Sequence, residues 1–155
     1  MSITKDLLHE LFDYKDGQLI RKVNSGTAKI GDIAGCFSRH LGYVLVSANG
    51  KQYRLHRLIY IYHYGDIPDK LQIDHINGNR IDNRIDNLRL VTNQENGFNR
   101  LTAKGYRWIE KAKKFQARIV LNGKDINLGL FTNENDAREA YLNAKANLHT
   151  IENRL

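Results

Sequence analysis

An adjacent Asp-His pair, Asp74-His75, heads a segment crowded with oxygen donors. Ile76-Asn77-Gly78-Asn79 comes next, then Asp82-Asn83-Arg84-Ile85-Asp86-Asn87, a short apolar run from Leu88, and Asn93-Gln94-Glu95-Asn96. Carboxylate and amide oxygens suit a hard divalent cation such as magnesium or manganese rather than a soft metal. A neutral imidazole beside such an ion can take a proton from water while the ion holds a phosphate. These residue types therefore support hydrolysis of a phosphate ester by one metal and one histidine. The plain alternative for His75 is a polar strand end that runs into an Asx turn at Asn77-Gly78.

The elements needed to position these groups are legible around them. Residues 71 to 75 read as a strand, with 88 to 91 as its partner. Alternation along a strand sends Asp74 and His75 to opposite faces, so both can serve one site only where the strand end is twisted or bulged. Thr92 and Glu95 have capping-box spacing, which starts a helix there and puts Asn96 in its first turn. A strand pair packed on that helix would aim Asp74 and Asn96 at one point. Between the strands, residues 80 to 87 form a tandem four-residue repeat. Asp82, Asn83 and Asp86 read as a charged loop bonded to itself. Asn87 closes the loop, and its amide can tie the loop backbone and so fix His75.

Upstream, residues 3 to 15 predict a helix capped by Thr4, with Leu7, Leu8, Leu11 and Phe12 on one face. A strand is expected at 17 to 21, and a Gly-punctuated loop with a short strand near Ile33 at 24 to 36. Asn49-Gly50 between two apolar runs is a strong hairpin signal. Residues 56 to 64 read as a helix ended by Gly65 and by Pro68, the only proline. Arg57 on this helix could grip a phosphate or simply sit on the helix surface. His9, His40, His63 and His149 have no constellation around them and read as structural.

A second unit is expected from about residue 102, with a junction at 101 to 104. Strands at 106 to 109, 115 to 121 and 126 to 131 and a helix at about 134 to 147 make a small α+β module, and Asn122-Gly123 turns its second hairpin. Between residues 104 and 118, Lys104, Arg107, Lys111, Lys113, Lys114 and Arg118 are opposed only by Glu110. With Gln116 they make a polar, basic ribbon suited to DNA, or else a solvated hairpin.

Composition bounds these readings. The 155 residues fit one domain or two small ones, and 24 Lys and Arg against 17 Asp and Glu give +7. That excess favours a polyanionic partner, though solubility alone could account for it. One cysteine, Cys36, excludes an intrachain disulfide and a zinc ribbon of paired cysteines. No long apolar run suggests a membrane span, and a reducing cytoplasm is the expected compartment.

The text from Asp74-His75 through Asn87-Leu88-Arg89 to Asn96 resembles the HNH nucleases, and most closely the phage- and intron-encoded homing endonucleases. Gly42-Tyr43-Val44, Tyr53 and His56-Arg57-Leu58 are similar to the segment that precedes the motif in those proteins. The resemblance implies a ββα-metal fold. It implies His75 as general base, Asp74 and Asn96 as ligands of one magnesium or manganese ion, and Asn87 as the residue that supports the base. Tyr106-Arg107, Lys114-Phe115, Leu128-Gly129, Phe131-Thr132 and Ala137-Arg138-Glu139-Ala140-Tyr141 resemble the ethylene-response-factor (Apetala-type) DNA-binding domain. In that family the three-stranded sheet enters the major groove, and Arg107 matches an arginine that contacts DNA. Trp108 and Asn127 depart from the pattern.

The expectation is thus an α+β protein with an HNH nuclease domain over 1 to 101 and a DNA-binding domain over 102 to 155. It would nick double-stranded DNA as a monomer, with a double-strand break needing a DNA-induced dimer or re-docking, in the cytoplasm of a bacterial host if phage-encoded and with no membrane partner. A DNA-binding regulator with an inactive nuclease fold and an RNA-directed protein are the competing classes. The second should show stacking aromatics on its sheet, for which only Tyr106 and Trp108 qualify.

Overall fold

Asp16 and Gly17 both adopt positive φ, 46° and 81°, the backbone of a tight primed hairpin turn. In the computed structural model, which describes residues 3 to 98, 103 to 151 and 154, this turn overrules part of the expected first helix. Helix α1 covers only Lys5–Leu11, capped by the Thr4 hydroxyl, which accepts from Leu7 N at 3.3 Å. Strand β1, Phe12–Lys15, then pairs antiparallel with β2, Gln18–Arg21. The apolar run that suggested one long helix serves two elements, because Leu8 and Phe12 are buried from either side of the break.

Strands β3 (Cys36–Ser38), β4 (Tyr43–Ala48) and β5 (Lys51–Arg54) form an antiparallel sheet in chain order. The Asn49-Gly50 turn joins the last two. The strand expected near Ile33 is only an isolated bridge between Ile20 and Ile33. Helix α2, Leu55–Tyr64, buries Leu55, His56, Leu58, Ile59, Tyr60 and Ile61, and Gly65 closes it at φ 89°. Strands β6 (Leu71–His75) and β7 (Leu88–Thr92) pair as a two-stranded ribbon, joined through a single 3-10 turn at Ile85–Asn87. One core, centred on Leu8, Phe12, Leu19, Val46, Leu58 and Ile59, underlies these elements.

Two compact units divide between Val91 and Thr92. The junction expected at 101/102 falls on residues outside the described ones, and helix α3, Asn93–Phe98, groups with the second unit. There the Phe98 ring stacks on His149, with centroids 3.8 Å apart, and Gln94 Nε2 donates to Asn122 Oδ1 at 3.1 Å. Thr92 and Glu95 cap α3 reciprocally, at 2.7 and 3.2 Å. Strands β8 (Tyr106–Ile109), β9 (Lys114–Leu121) and β10 (Lys124–Phe131) form an antiparallel sheet with β9 central. Helix α4, Glu134–Leu148, buries Ala137 and Tyr141, and the sheet buries Ala117 and Ile119. Gly105, at φ 78°, passes so close to the Tyr141 ring that any Cβ there would overlap it. No helix among the described residues is long and apolar enough to cross a membrane.

Candidate active site

Asp74 and His75 are both buried, at 8% and 4% relative exposure, although they are neighbours on one strand. Strand β6 ends here: His75 O accepts from Gly78 N at 2.9 Å, turning the chain, while Ile76 N donates to Asn87 O at 2.9 Å. Each of the two side chains has its own support. Arg89 on β7 donates from Nε and Nη2 to the same oxygen of Asp74, Oδ2, at 3.1 and 2.8 Å. His75 Nε2 lies 3.1 Å from Asn83 Oδ1.

The loop from 76 to 87 is a lattice of amide side chains. Asn87 is buried, and its Nδ2 donates to Asp82 O at 2.8 Å and to Asn77 Oδ1 at 3.0 Å. Its Oδ1 accepts from Asn77 N at 3.0 Å. One amide thus ties both ends of the loop. Arg84 grips Asp82 through Nε and Nη2 at 2.9 and 2.8 Å and holds that carboxyl well below the usual carboxylate range, helped by the Asn77 amide. Tyr14 Oη, from the first hairpin, accepts from Ile85 N at 3.1 Å. Asn83, which the charged run suggested was ordinary loop, is 3% exposed and faces the histidine. No local signal separated it from Asn79 or Asp82, since its role depends on where the loop folds.

His56 was not singled out as a site residue, yet it also belongs to this cluster. It lies on α2, is 4% exposed, and its ring centroid is 5.0 Å from that of His75 at an interplanar angle of 79°. Burial, followed by the positive potential of His75, Arg54 and Arg57, lowers its pKa to about 3. His56 is therefore a neutral wall of the site. Tyr43 packs 5.1 Å from His56 and 6.3 Å from His75. The guanidinium groups of Arg54 and Arg80 lie 4.7 and 5.0 Å from the Tyr43 ring centre. Both arginines are exposed, so their in-plane N–H groups are available to an anion at the rim. Arg57 is exposed on α2.

The remaining site candidates lie in the second unit. Asn96 is half-buried on α3. Arg107, Gln116 and Arg118 alternate with the buried Ala117 and Ile119, which puts them on the sheet face away from that core. Arg107 Nε donates to Gln116 Oε1 at 3.0 Å, Gln116 Nε2 to Asn127 Oδ1 at 3.3 Å, and Arg118 pairs with Asp125 at 3.3 Å. Lys104, Lys111, Lys113 and Lys114 are exposed, with Lys113 paired to Glu110 in the turn between β8 and β9.

Among the described residues no three His, Cys, Asp or Glu side chains gather as a metal cage. The donors on offer, the Asp74 carboxylate and amide oxygens, instead fit the sparse ligand set of magnesium, which keeps waters and leans on substrate phosphate. They do not fit a four-ligand zinc centre.

Residues 53–98 match the HNH endonuclease family. His56, Asp74, His75, Asn83, Asn87 and Arg89 all lie inside the matched segment. It is 34% identical over 103 residues to an uncharacterized HNH endonuclease of Acanthamoeba polyphaga mimivirus, across 64% of this chain and 54% of that protein. A protein of the SPbeta prophage of Bacillus subtilis (strain 168), named as an HNH homing endonuclease, is 38% identical over 56 residues, 36% of this chain and 32% of its own length. Protein 3.8 of Escherichia phage T7 is 34% identical over 70 residues, 41% and 58% of the two chains. The chain thus spans about half, or less, of the length of these relatives. The solved structure of the HNH homing endonuclease I-HmuI, concerned with its DNA binding and cleavage, aligns at a TM-score of 0.45 and 21% identity, over 72% of this chain and 67% of that one.

Proposed function

We propose that this chain is a metal-dependent DNA endonuclease of the homing type, which hydrolyses one phosphodiester bond to leave 5′-phosphate and 3′-hydroxyl ends. The observation that carries the reading is the burial of Asp74 and His75 side by side, each locked by a separate partner. His75 accepts a proton from water, which becomes the nucleophile. Asn87 holds the loop that carries the histidine. Asp74 and Asn96 offer the oxygens for one magnesium or manganese ion, which when bound would offset the charge that develops on the scissile phosphate. Arg54 and Arg80 on the Tyr43 ring, with Arg57, grip the flanking backbone phosphates. One histidine cuts one strand, so a monomer nicks.

The second unit serves as the DNA grip in the manner of an Apetala-type sheet. Arg107, Gln116 and Arg118 meet the groove, and Lys104, Lys111, Lys113 and Lys114 meet phosphates. The competing regulator with an inactive nuclease fold would bind DNA without cutting it. A supercoiled-plasmid nicking assay with magnesium separates the two. His75→Ala should lower the nicking rate by about 10²–10⁴ with gel-shift affinity nearly intact, and excess chelator should stop cleavage. Undiminished nicking in chelator would overturn the one-metal reading. Parallel loss of binding and cleavage in the variant would make His75 structural.

A further inference from the structure

We propose that Tyr43 is the platform of a two-arginine clamp, in which Arg54 and Arg80 together hold one backbone phosphate of the DNA beside the bond that is cut. The DNA as the source of that phosphate rests on the endonuclease reading above; the clamp itself does not. Arg54 on β5 pairs with Leu45 on β4. Tyr43 is two residues from Leu45 on the same strand, so it shares a face with Leu45 and is a diagonal neighbour of Arg54. The guanidinium of Arg54 accordingly lies 4.7 Å from the Tyr43 ring centre. Arg80 reaches the same ring from the loop after β6, at 5.0 Å. Its stem runs past Gly42, where a Cβ would meet Arg80 Nη1 at 3.7 Å and Cδ at 4.0 Å.

Two cations gathered on one ring repel each other, and no carboxylate offsets them. Arg84 and Arg89 are bound to Asp82 and Asp74, whereas no ion pair among the described residues involves Arg54 or Arg80. A guanidinium over an aromatic face keeps N–H groups for a further partner, and phosphate oxygens accept them in charge-assisted bonds of about 2.7–2.9 Å. Both guanidiniums lie within 5.0 Å of one point, so a single phosphate can accept from both. Its charge relieves the repulsion that the free protein carries. The Tyr43 ring centre is also 5.1 Å from that of His56 and 6.3 Å from that of His75, which seats the phosphate next to the buried histidines. The clamp is made of side chains alone, so it holds phosphate with or without a divalent ion. Tyr43 acts through the arginines and is a positioning residue.

The test uses the full-length protein in excess chelator, so that no metal contributes, and follows binding of a labelled duplex by anisotropy across a range of salt. Arg54→Gln with Arg80→Gln should lower the salt slope by about 0.9, because one phosphate leaves the count. Two independent contacts would lower it by about 1.8; that result, or an unchanged slope, would overturn the inference. Tyr43→Leu should weaken binding as the double change does, whereas Tyr43→Phe keeps the ring and should bind within about 2-fold of the wild type. Equal losses in the two Tyr43 variants would overturn the role of the ring. Where Tyr43→Leu does not fold, the exposed arginines and Tyr43→Phe decide. Inorganic phosphate separates the clamp from the DNA. Added to ¹⁵N-labelled protein, it should shift the Nε–H signals of Arg54 and Arg80 along one common binding curve, and two different curves or no shift would overturn the clamp. The common curve in a protein that never nicks DNA would leave the clamp standing and overturn the endonuclease reading.

Discussion

His56 and His75 carry the same imidazole 5.0 Å apart, and their surroundings give them different work. His75 has a hydrogen-bond acceptor at Nε2, whereas His56 is enclosed by packing and by positive charge, which lowers its pKa from 6.5 to about 3. Between those values the unfolded chain binds a proton that the folded His56 refuses. Its contribution is therefore complete above pH 6.5 and is lost as pH falls toward 3, at up to about 1.4 kcal/mol per pH unit. Urea unfolding at two values, near pH 6.5 and pH 5, should show the wild type losing about 2 kcal/mol more than His56→Gln. The comparison also removes His63, whose pKa is lowered by burial in both proteins. Equal losses would mean that His56 protonates inside the fold.

The first hairpin does more than extend the core. Its turn presses against the loop that holds Asn83: a Cβ on Gly17 would lie 2.7 Å from Arg84 N and 2.9 Å from Asn83 C. Tyr14, on the same hairpin, accepts from Ile85 N. Gly50 provides the control, because it has a similar positive φ, 72°, and open space around it. Gly50→Ala should cost about 1 kcal/mol, the conformational penalty of a side chain in the left-handed region. Gly17→Ala carries that penalty and also displaces backbone, so it should cost about 2–3 kcal/mol in all. It should also slow nicking, whereas Gly50→Ala should not. Equal unfolding costs for the two variants would show that the turn does not brace the loop.

For the molecule as a whole, the proposed division of labour gives the chemistry to residues 1 to 101 and much of the affinity to residues 102 to 155. Residues 102 to 155 hold ten Lys and Arg against six Asp and Glu, a net of +4 of the total +7. The paired change Arg107→Ala with Arg118→Ala should weaken DNA binding and lower its salt slope by about 0.9 for each phosphate that is no longer neutralised. Metal-dependent nicking at saturating DNA should stay close to wild type. A salt slope and affinity equal to the wild type would make the second unit a structural appendage or a docking module for another partner.

Local chemistry was legible in the chain itself. The Asp74-His75 pair, the Asn-Gly turns at 49–50 and 122–123, the Thr92–Glu95 cap and the alternating strand at 114 to 121 all rest on residues within a few positions of each other. Asp16-Gly17 carried the same kind of signal, but the helical spacing of Leu8, Leu11 and Phe12 masked it. Asn83 facing His75, His56 walling the site, Arg89 on Asp74 and Gly17 against Arg84 leave no such pattern. The first and third depend on how the 76–87 loop closes the strand pair, and the other two join segments that meet only when the core closes. Residue type and spacing therefore determined which chemistry this protein can hold. The closing of the loop determined which asparagine meets the histidine, and packing between distant segments determined which second histidine walls the site.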